Sequence, residues 1–169
     1  MVGEGSFEVT GDVSPVSSTA DLKLEGKALD IKVLTSSFPK MKQLDLKGDL
    51  DLEFSGHFEQ GNNTGSGKAS SDLISVKGMR FTDLLYPLDL KENRLSTSNA
   101  SGLMYGGEIK GNGYLDLADL SFNKDLEVNG IDVDSLLQDV SDMEGNITGK
   151  ANVFAKIAGS MKNGLEYRG

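Results

Sequence analysis

Apolar and charged residues alternate with a period of two along much of this chain, and this pattern constrains the fold more than any other feature of the sequence. Residues 21–25 read Asp-Leu-Lys-Leu-Glu, and residues 44–54 continue the alternation over a longer stretch. Successive side chains of a β-strand point to opposite faces, so each stretch predicts a strand with one apolar and one charged face. Such strands belong in an antiparallel or mixed sheet with one hydrated side, because buried parallel strands have unbroken apolar runs.

Shorter alternating stretches and a high glycine content extend this prediction along the chain. The stretches are residues 6–10, 114–117 and 125–128. Glycine accounts for 21 of the 169 residues and proline for 3, which favours tight turns between short strands. A chain of this length suits one domain, so we assign residues 1–169 to a single β domain. We expect this domain to be a fragment of a larger protein.

Helical signals are weak. Residues 134–141 are the best candidate, because Ser135 with Gln138 fits a capping box and the apolar residues that follow would share one face. The sequence therefore predicts one short helix near the C-terminal end of the domain.

Three other segments carry turn signals. Residues 38–43 could form a helical turn with a proline early in it. Residues 81–86 could form another that ends before Pro87, because the residue before a proline disfavours the helical conformation. Residues 61–67 consist mainly of glycine and asparagine, which predicts a long hairpin tip or a flexible crossover.

A loose internal repeat relates residues 21–56 to residues 125–159. Each segment contains an alternating strand, a glycine, a short apolar link, a helical candidate and further strands, at an offset of about 101 to 104 residues. We interpret the repeat as a unit that enlarges one sheet, since a single unit could not bury its own apolar face.

Several classes of function are excluded or disfavoured by composition and motifs. A net charge of −9 disfavours nucleic-acid binding, and the absence of cysteine removes disulfides and thiolate chemistry. His57 is the only histidine, and residues 65–69 lack the spacing and the hydroxyl of a phosphate-binding loop. Asp30, Asp132 and Asp134 suit helix caps better than a calcium loop. We predict a protein that is not an enzyme, with no catalytic residues, no metal site and no cofactor.

The order of small motifs between residues 95 and 160 resembles the C-terminal region of the AsmA family. The motifs are an aromatic-glycine-glycine turn at Tyr105-Gly106-Gly107, a strand at residues 113–117, the link Val128-Asn129-Gly130-Ile131-Asp132, the pair Leu136-Leu137, and two glycines, Gly145 and Gly149, before a strand. Isoleucine stands at residue 131, where the family pattern has valine. Together with the internal repeat, the resemblance covers about two thirds of the chain.

This resemblance implies a fold, a location and a role. AsmA-like proteins are similar to TamB and to bridge-like lipid transfer proteins, which form a strongly curved β-sheet whose concave apolar face carries acyl chains. The implied fold is an elongated, curved antiparallel or mixed sheet with one or two short helices. The implied location is the periplasm, with the parent protein anchored in the bacterial inner membrane. The implied role is phospholipid transport or outer-membrane assembly.

The apolar faces of the strands are the candidate site. The candidate residues are Phe7, Val9, Leu22, Leu24, Leu44, Leu46, Leu50, Leu52, Phe54, Leu115, Leu117, Leu126, Val128, Val153 and Ile157. They would form either a lipid-facing wall or an ordinary core, since a β-sandwich covers the same face with a second sheet. The expected partners are a phospholipid or another acyl-chain lipid, and neighbouring domains of the same parent chain. A dimer through an exposed sheet edge or the groove is also possible. The alternative function is a structural or protein-interaction domain without a ligand.

Overall fold

The computed structural model describes residues 5–36, 44–141 and 147–160, and the backbone of residues 164–168. Its elements in chain order are β1 (Ser6–Ser14), β2 (Thr19–Asp30), α1 (Ile31–Thr35), β3 (Leu46–Glu59), β4 (Thr64–Val76), β5 (Met79–Lys91), β6 (Arg94–Met104), β7 (Gly107–Asp116), β8 (Ser121–Asp132), α2 (Val133–Val140), β9 (Lys150–Ser160) and β10 (Gly164–Arg168). The mainly β prediction is confirmed.

All ten strands form one sheet in which every strand pairs with its neighbours in sequence. Every pairing is antiparallel, so the chain runs up and down through the sheet from β1 to β10. The described part of the chain contains no second sheet, and the predicted groove-like sheet is therefore confirmed over the β-sandwich alternative.

The two faces of the sheet differ in polarity, as the alternation predicts. On one face, which we call the inward face, apolar and small residues stand in register; one row pairs Leu88, Gly67, Phe54, Leu24 and Val9 from β5 to β1. On the opposite, outward face, Lys27 lies 3.1 Å from Asp51 and Lys68 lies 3.2 Å from Glu53. These ion pairs are exposed and contribute little stability. The inward face is therefore the main source of hydrophobic stabilisation.

The sheet curls around its inward face. The Nζ of Lys124 on β8 lies 4.0 Å from the centroid of the Tyr86 ring on β5. In a flat sheet, strands at these positions would be about 14 Å apart, because neighbouring strands are about 4.8 Å apart. Helix α2 also contacts both β5 and β8. Strong curvature is what brings these elements together.

Bulges with a repeated hydrogen-bonding pattern bend the strands. Ala28, Asn99 and Gly130 have φ values of 48°, 58° and 80°, and each lies where the register shifts. The backbone N–H of each donates to a side-chain oxygen of the next strand; the pairs are Ala28 to Asp51 at 2.8 Å, Asn99 to Asn112 at 3.0 Å and Gly130 to Asn152 at 2.8 Å. A bulge increases local twist and bend, and these side chains satisfy the N–H that it unpairs.

Helix α2 confirms the helical prediction for the C-terminal segment but corrects its cap. The N-cap is Asp132, whose carboxylate accepts a hydrogen bond from the backbone N–H of Ser135 at 3.0 Å. The expected pair of Ser135 and Gln138 does not form a capping box; Gln138 instead donates to Asp134 at 3.1 Å. Asp132 is the stronger cap because its carboxylate reaches the backbone N–H groups of the first turn directly.

Helix α1 was not predicted. It begins directly after β2, and Asp30 caps it by accepting from the backbone N–H of Lys32 at 2.8 Å. The interpretation of Asp30 and Asp132 as helix caps is thus confirmed, whereas Asp134 lies in the first turn of α2 and is not its cap. The helical turn predicted at residues 38–43 lies outside the described residues.

One turn prediction was wrong, and a second identified a real hairpin tip between β3 and β4 but made it too long. Residues 81–86 belong to β5, and Pro87 lies between Leu85 and Asp89, where the pairing with β6 shifts register. A proline is tolerated in a strand at such an irregularity, because no ladder hydrogen bond is lost. The predicted loop at residues 61–67 is also shorter than expected, since β4 already begins at Thr64.

The two segments of the predicted repeat share local features. In each, a bulge with a positive φ precedes an aspartate-capped helix, and a strand that pairs with the preceding strand follows. These features support the predicted duplication, which remains a hypothesis.

Candidate functional site

Most of the predicted wall residues lie in register on the inward face. These are Phe7, Val9, Leu22, Leu24, Leu46, Leu50, Leu52, Phe54, Leu115, Leu126, Val128, Val153 and Ile157. Two others lie outside the strands: Leu44 precedes β3, and Leu117 follows β7 with 45% of its surface exposed. The structure therefore gathers the predicted residues on one surface, although that surface is not uniform.

The inward face of β5–β8, which we call the closed region, is filled. Its buried side chains are Leu84, Met104, Ile109, Val128 and Ile131, and Leu136 of α2 packs against them. Val128 and Ile131 are each only 1% exposed. Of these buried residues only Val128 was predicted, because the bulges interrupt the alternation around the others. This part of the face is an ordinary core.

A hydrogen-bonded cluster holds α2 across the closed region. Asp139 of α2 accepts from the hydroxyl of Tyr105 at 2.7 Å and from the Nε of Arg80 at 2.5 Å. The hydrogen bond from Tyr105, followed by that from Arg80, lowers the pKa of the Asp139 carboxyl. Burial, and then the same contact with Asp139, raises the pKa of Tyr105. The helix is thus fixed to β5 and to the end of β6 by polar contacts as well as by packing.

The inward face of β1–β3, which we call the open region, is exposed on β1 and partly buried on β2 and β3, where Phe54 is only 9% exposed. Phe7, Val9 and Val13 of β1 are 56%, 51% and 68% exposed, although their side chains belong to the apolar rows. The main contacts of helix α1 are with β2 and β3, the strands that flank it in sequence. No described element covers β1. A contiguous apolar surface of this kind is typical of a binding site.

Glycines make room for aromatic rings on this face. A Cβ atom added at Gly65 would lie 2.6 Å from the Cζ of Phe54, so the Phe54 ring occupies the space above this glycine. At Gly56, an added Cβ would lie 3.0 Å from ring atoms of both Phe54 and Phe58. The rings therefore lie low over the sheet, which keeps the surface smooth rather than ridged.

One cation interrupts the inward rows. Lys124 is the one charged side chain in the paired inward positions of β1–β9 within the described residues, and its nearest aromatic contact is the Tyr86 ring. In the same row, Gly113 lies between Lys124 and Thr97. The Oγ1 of Thr97 is buried without a hydrogen-bond partner. Neither Lys124 nor Thr97 was among the residues predicted from the sequence, because each looks like an ordinary polar residue of a strand.

The remaining chemistry of the described residues is limited. His57 lies on the outward face of β3, with its Nδ1 2.7 Å from Oδ1 of Asp21. Within the described ranges, no group of three His, Asp or Glu side chains could hold a metal ion. Neither helix in the described part of the chain has the length and apolar character needed to cross a bilayer.

Comparisons with known proteins add no relatives. No protein-family model, no curated protein and no solved structure matches this chain.

Proposed function

We propose that this chain is a non-catalytic β domain that binds lipid acyl chains on the inward face of its sheet. One observation carries the proposal: the apolar side chains of β1 are exposed on the inward face, with Val9 at 51% and Val13 at 68%, and no described element covers this strand. Each methylene group buried there would contribute about 0.8 kcal/mol, so a long chain needs no polar contact to bind.

The same proposal gives the domain a cellular setting. The resemblance of residues 95–160 to the AsmA family supports an envelope protein that faces the periplasm and is anchored in the bacterial inner membrane. A single curved sheet with an apolar concave face is the architecture that this resemblance implies. On this proposal, neighbouring domains of the parent chain extend the groove, and the domain guides phospholipid during transport or outer-membrane assembly.

Two adjacent residues of β1 provide the test. Val9 points inward and Thr10 points outward, and both are exposed, so neither Val9→Asp nor Thr10→Asp introduces a buried charge. We would titrate wild type and both variants with a fluorescent acyl-chain probe. A charge on the inward face costs binding because the acyl chain would have to desolvate it. We expect Val9→Asp to weaken binding about tenfold and Thr10→Asp to leave it unchanged.

The outcome that contradicts the proposal is equally clear. Absence of binding to the wild-type protein, or equal losses in the two variants, would remove the inward face as the site. Circular dichroism of both variants would establish that the sheet is intact in each.

A second candidate function is favoured by the exposed edge of the sheet. β1 is the first strand in the sheet order, and all nine of its residues are exposed, so its outer edge can pair with a strand of another protein. Glu8 and Asp12 on its outward face favour a basic partner strand over a second copy. Amide hydrogen exchange of β1 would test this, because pairing with a partner would slow exchange whether or not a lipid is present.

A further inference from the structure

We propose that one corner of the sheet docks onto the surface of a phospholipid bilayer whose head groups are zwitterionic. This corner, which we call the uncharged corner, consists of residues 13–20 and 60–67, which contain the tips of the β1–β2 and β3–β4 hairpins. The proposal rests on the proposed function for its purpose, since it names the source from which an acyl chain would reach the open region.

Four hairpin tips form one end of the sheet. Because sequential strands pair antiparallel, the tips of the β1–β2, β3–β4, β5–β6 and β7–β8 hairpins lie at the same end, and α1 and α2 follow β2 and β8 at the other end. Neighbouring tips are hydrogen bonded: the backbone N–H of Glu92 donates to the carbonyl of Asn63 at 2.6 Å, and that of Leu117 donates to Asn93 at 2.7 Å. The tips therefore form a continuous rim opposite the helices.

Charge is distributed unevenly along this rim. The β5–β6 tip contains Lys91, Glu92 and Arg94, and the β7–β8 tip contains Asp116 and Asp119. Residues 13–20 and 60–67 contain no charged residue, although charged residues make up 25% of the chain. A charged group must lose its hydration to enter an apolar medium, which is costly. The uncharged corner is consequently the part of the rim that can approach a bilayer at the lowest cost.

The uncharged corner also exposes apolar side chains. Val16 at the β1–β2 tip is 99% exposed, and Val13 is 68% exposed. Val13, Pro15 and Phe58 line a hollow that is shared with residues 59–61 of the β3–β4 hairpin, so the two tips form one surface. A valine with almost its entire surface in water adds nothing to the core, and exposed apolar surfaces of this kind mark contacts with membranes or proteins.

The uncharged corner is continuous with the open region. Val13 is opposite Ala20, and Ala20 is opposite Phe58, so these residues form the inward row nearest the tips. From this row to that of Val9 and Leu24, the paired inward positions of β1–β3 hold no charged residue. An acyl chain that leaves a bilayer at this corner would therefore reach the open region without passing a charged side chain.

The charges below the tips select the class of lipid. Asp12 and Asp21 are opposite each other at the base of the β1–β2 tip, and Glu59 lines the hollow. The chain as a whole has a net charge of −9. An anionic membrane surface repels acidic groups, whereas zwitterionic head groups carry no net charge. We therefore expect docking to phosphatidylcholine and weaker docking to phosphatidylglycerol.

A single tryptophan tests the docking, because the chain contains none of its own. Val16→Trp places it in the uncharged corner, and Ala118→Trp places it at an exposed position of the β7–β8 tip as the control. With vesicles of palmitoyl-oleoyl-phosphatidylcholine, we expect the emission of Val16→Trp to shift to the blue and that of Ala118→Trp to stay unchanged. Vesicles of phosphatidylglycerol should shift Val16→Trp less. Equal shifts in the two variants, or no shift in Val16→Trp, would overturn the proposal.

A pair of charge insertions measures the contribution of the exposed valine. We expect Val16→Asp to weaken flotation with phosphatidylcholine vesicles about tenfold, which corresponds to about 1.4 kcal/mol, close to the value for burying one valine side chain. Ala118→Asp adds the same charge to the β7–β8 tip and should leave flotation unchanged. Thermal unfolding would establish that both variants are folded. Equal losses in the two variants would contradict docking through the uncharged corner.

Titration with a soluble fluorescent acyl-chain probe separates this proposal from the proposed function. Binding of the probe without a shift of Val16→Trp on vesicles would overturn the docking and leave the proposed function standing. A shift on vesicles without binding of the probe would overturn the proposed function and the entry of an acyl chain, and would leave the uncharged corner as a docking surface alone.

Discussion

The closed region and the open region are two parts of one apolar face that differ in how far they are buried. In the closed region, α2 has eight residues and reaches from β8 to β5, where Leu136 packs on the core. In the open region, α1 has five residues, and its main contacts are with β2 and β3. The same strand chemistry therefore yields a core or an exposed surface, according to the length of the helix that follows the strand.

The contrast also shows in how each helix is attached. α2 is held by hydrogen bonds from Tyr105 and Arg80 to Asp139. α1 leaves Val33 67% and Leu34 44% exposed, so its apolar side chains are only partly used in packing. The open region is consequently less tightly packed than the closed region, which is why the proposed function places the acyl chain there.

The largest expected effect is the difference in stability loss between an alanine substitution in the closed region and one in the open region. Ile131 is 1% exposed, and Ile131→Ala should lower the free energy of unfolding by about 2 to 5 kcal/mol because it leaves a cavity. Val9 is 51% exposed, and Val9→Ala should change it by about 0.5 kcal/mol or less. Urea unfolding of both variants would measure the difference. Equal destabilisation would mean that the open region is also packed.

The next effect concerns the attachment of α2. Tyr105→Phe removes the hydroxyl that donates to Asp139 and accepts from the backbone N–H of Arg80. We expect it to lower the free energy of unfolding by about 1 to 2 kcal/mol, since two partners lose a hydrogen bond. Amide exchange in α2 should accelerate, whereas exchange in α1 serves as an internal control and should not change.

The pH dependence of the stability of Tyr105→Phe tests the role of the Asp139 carboxylate. The contacts with Tyr105 and Arg80 hold the pKa of Asp139 below its ordinary value of 3.8. Their stabilisation is therefore complete above this value and is lost as the pH falls through the lower folded pKa. The difference in unfolding free energy between wild type and Tyr105→Phe should be largest above about pH 4 and should narrow in more acidic solution. A constant difference down to the most acidic solution would contradict the role of the carboxylate.

A smaller effect tests whether the bulges of the two regions are equivalent. Asp51→Ala leaves the N–H of Ala28 unpaired in the open region, and Asn152→Ala does the same to Gly130 beside the closed region. Each should destabilise the protein by about 1 kcal/mol.

The hydrogen bond from Ala28 is also the main cause that lowers the pKa of Asp51. NMR titration would detect the lowered pKa of Asp51. A pKa at the ordinary value would mean that the hydrogen bond from Ala28 does not hold the bulge.

The smallest effect has the opposite sign. Thr97→Val removes a buried hydroxyl that has no partner, so the ligand-free protein should gain about 1 kcal/mol of unfolding free energy or less. Thermal unfolding without lipid would measure it. A loss of stability would show that the hydroxyl has a hydrogen-bond partner in the protein.

Much of the architecture followed from the sequence, for identifiable reasons. Alternation fixes which side chains of residues 21–25 and 44–54 share a face, because it depends only on strand geometry. Residues 81–86 were mistaken for a helical turn because Pro87 follows them, but a proline is also tolerated in a strand where a bulge shifts the register. Bulges depend on contacts between strands, so local patterns do not reveal them.

The candidate site was predictable only as a surface. The alternation identified residues such as Leu24 and Phe54, but exposure depends on which helix covers them, and α1 itself was not expected. Lys124 and Thr97 are more than twenty residues apart in sequence and become neighbours in one row only through the pairing of β6, β7 and β8. Which side chains stand in one row can therefore be predicted only when the register of the strands is known.

The most direct test uses a stearic acid that carries a nitroxide near its methyl end, added to protein with labelled methyl groups. A ligand bound with its chain along the inward row of the open region would broaden the methyl signals of Val9 and Leu24. The methyl signals of Val128 and Ile131 should remain sharp, because the closed region is already filled. Equal broadening in both regions, or none in the open region, would contradict the division of this face into a core and a binding surface.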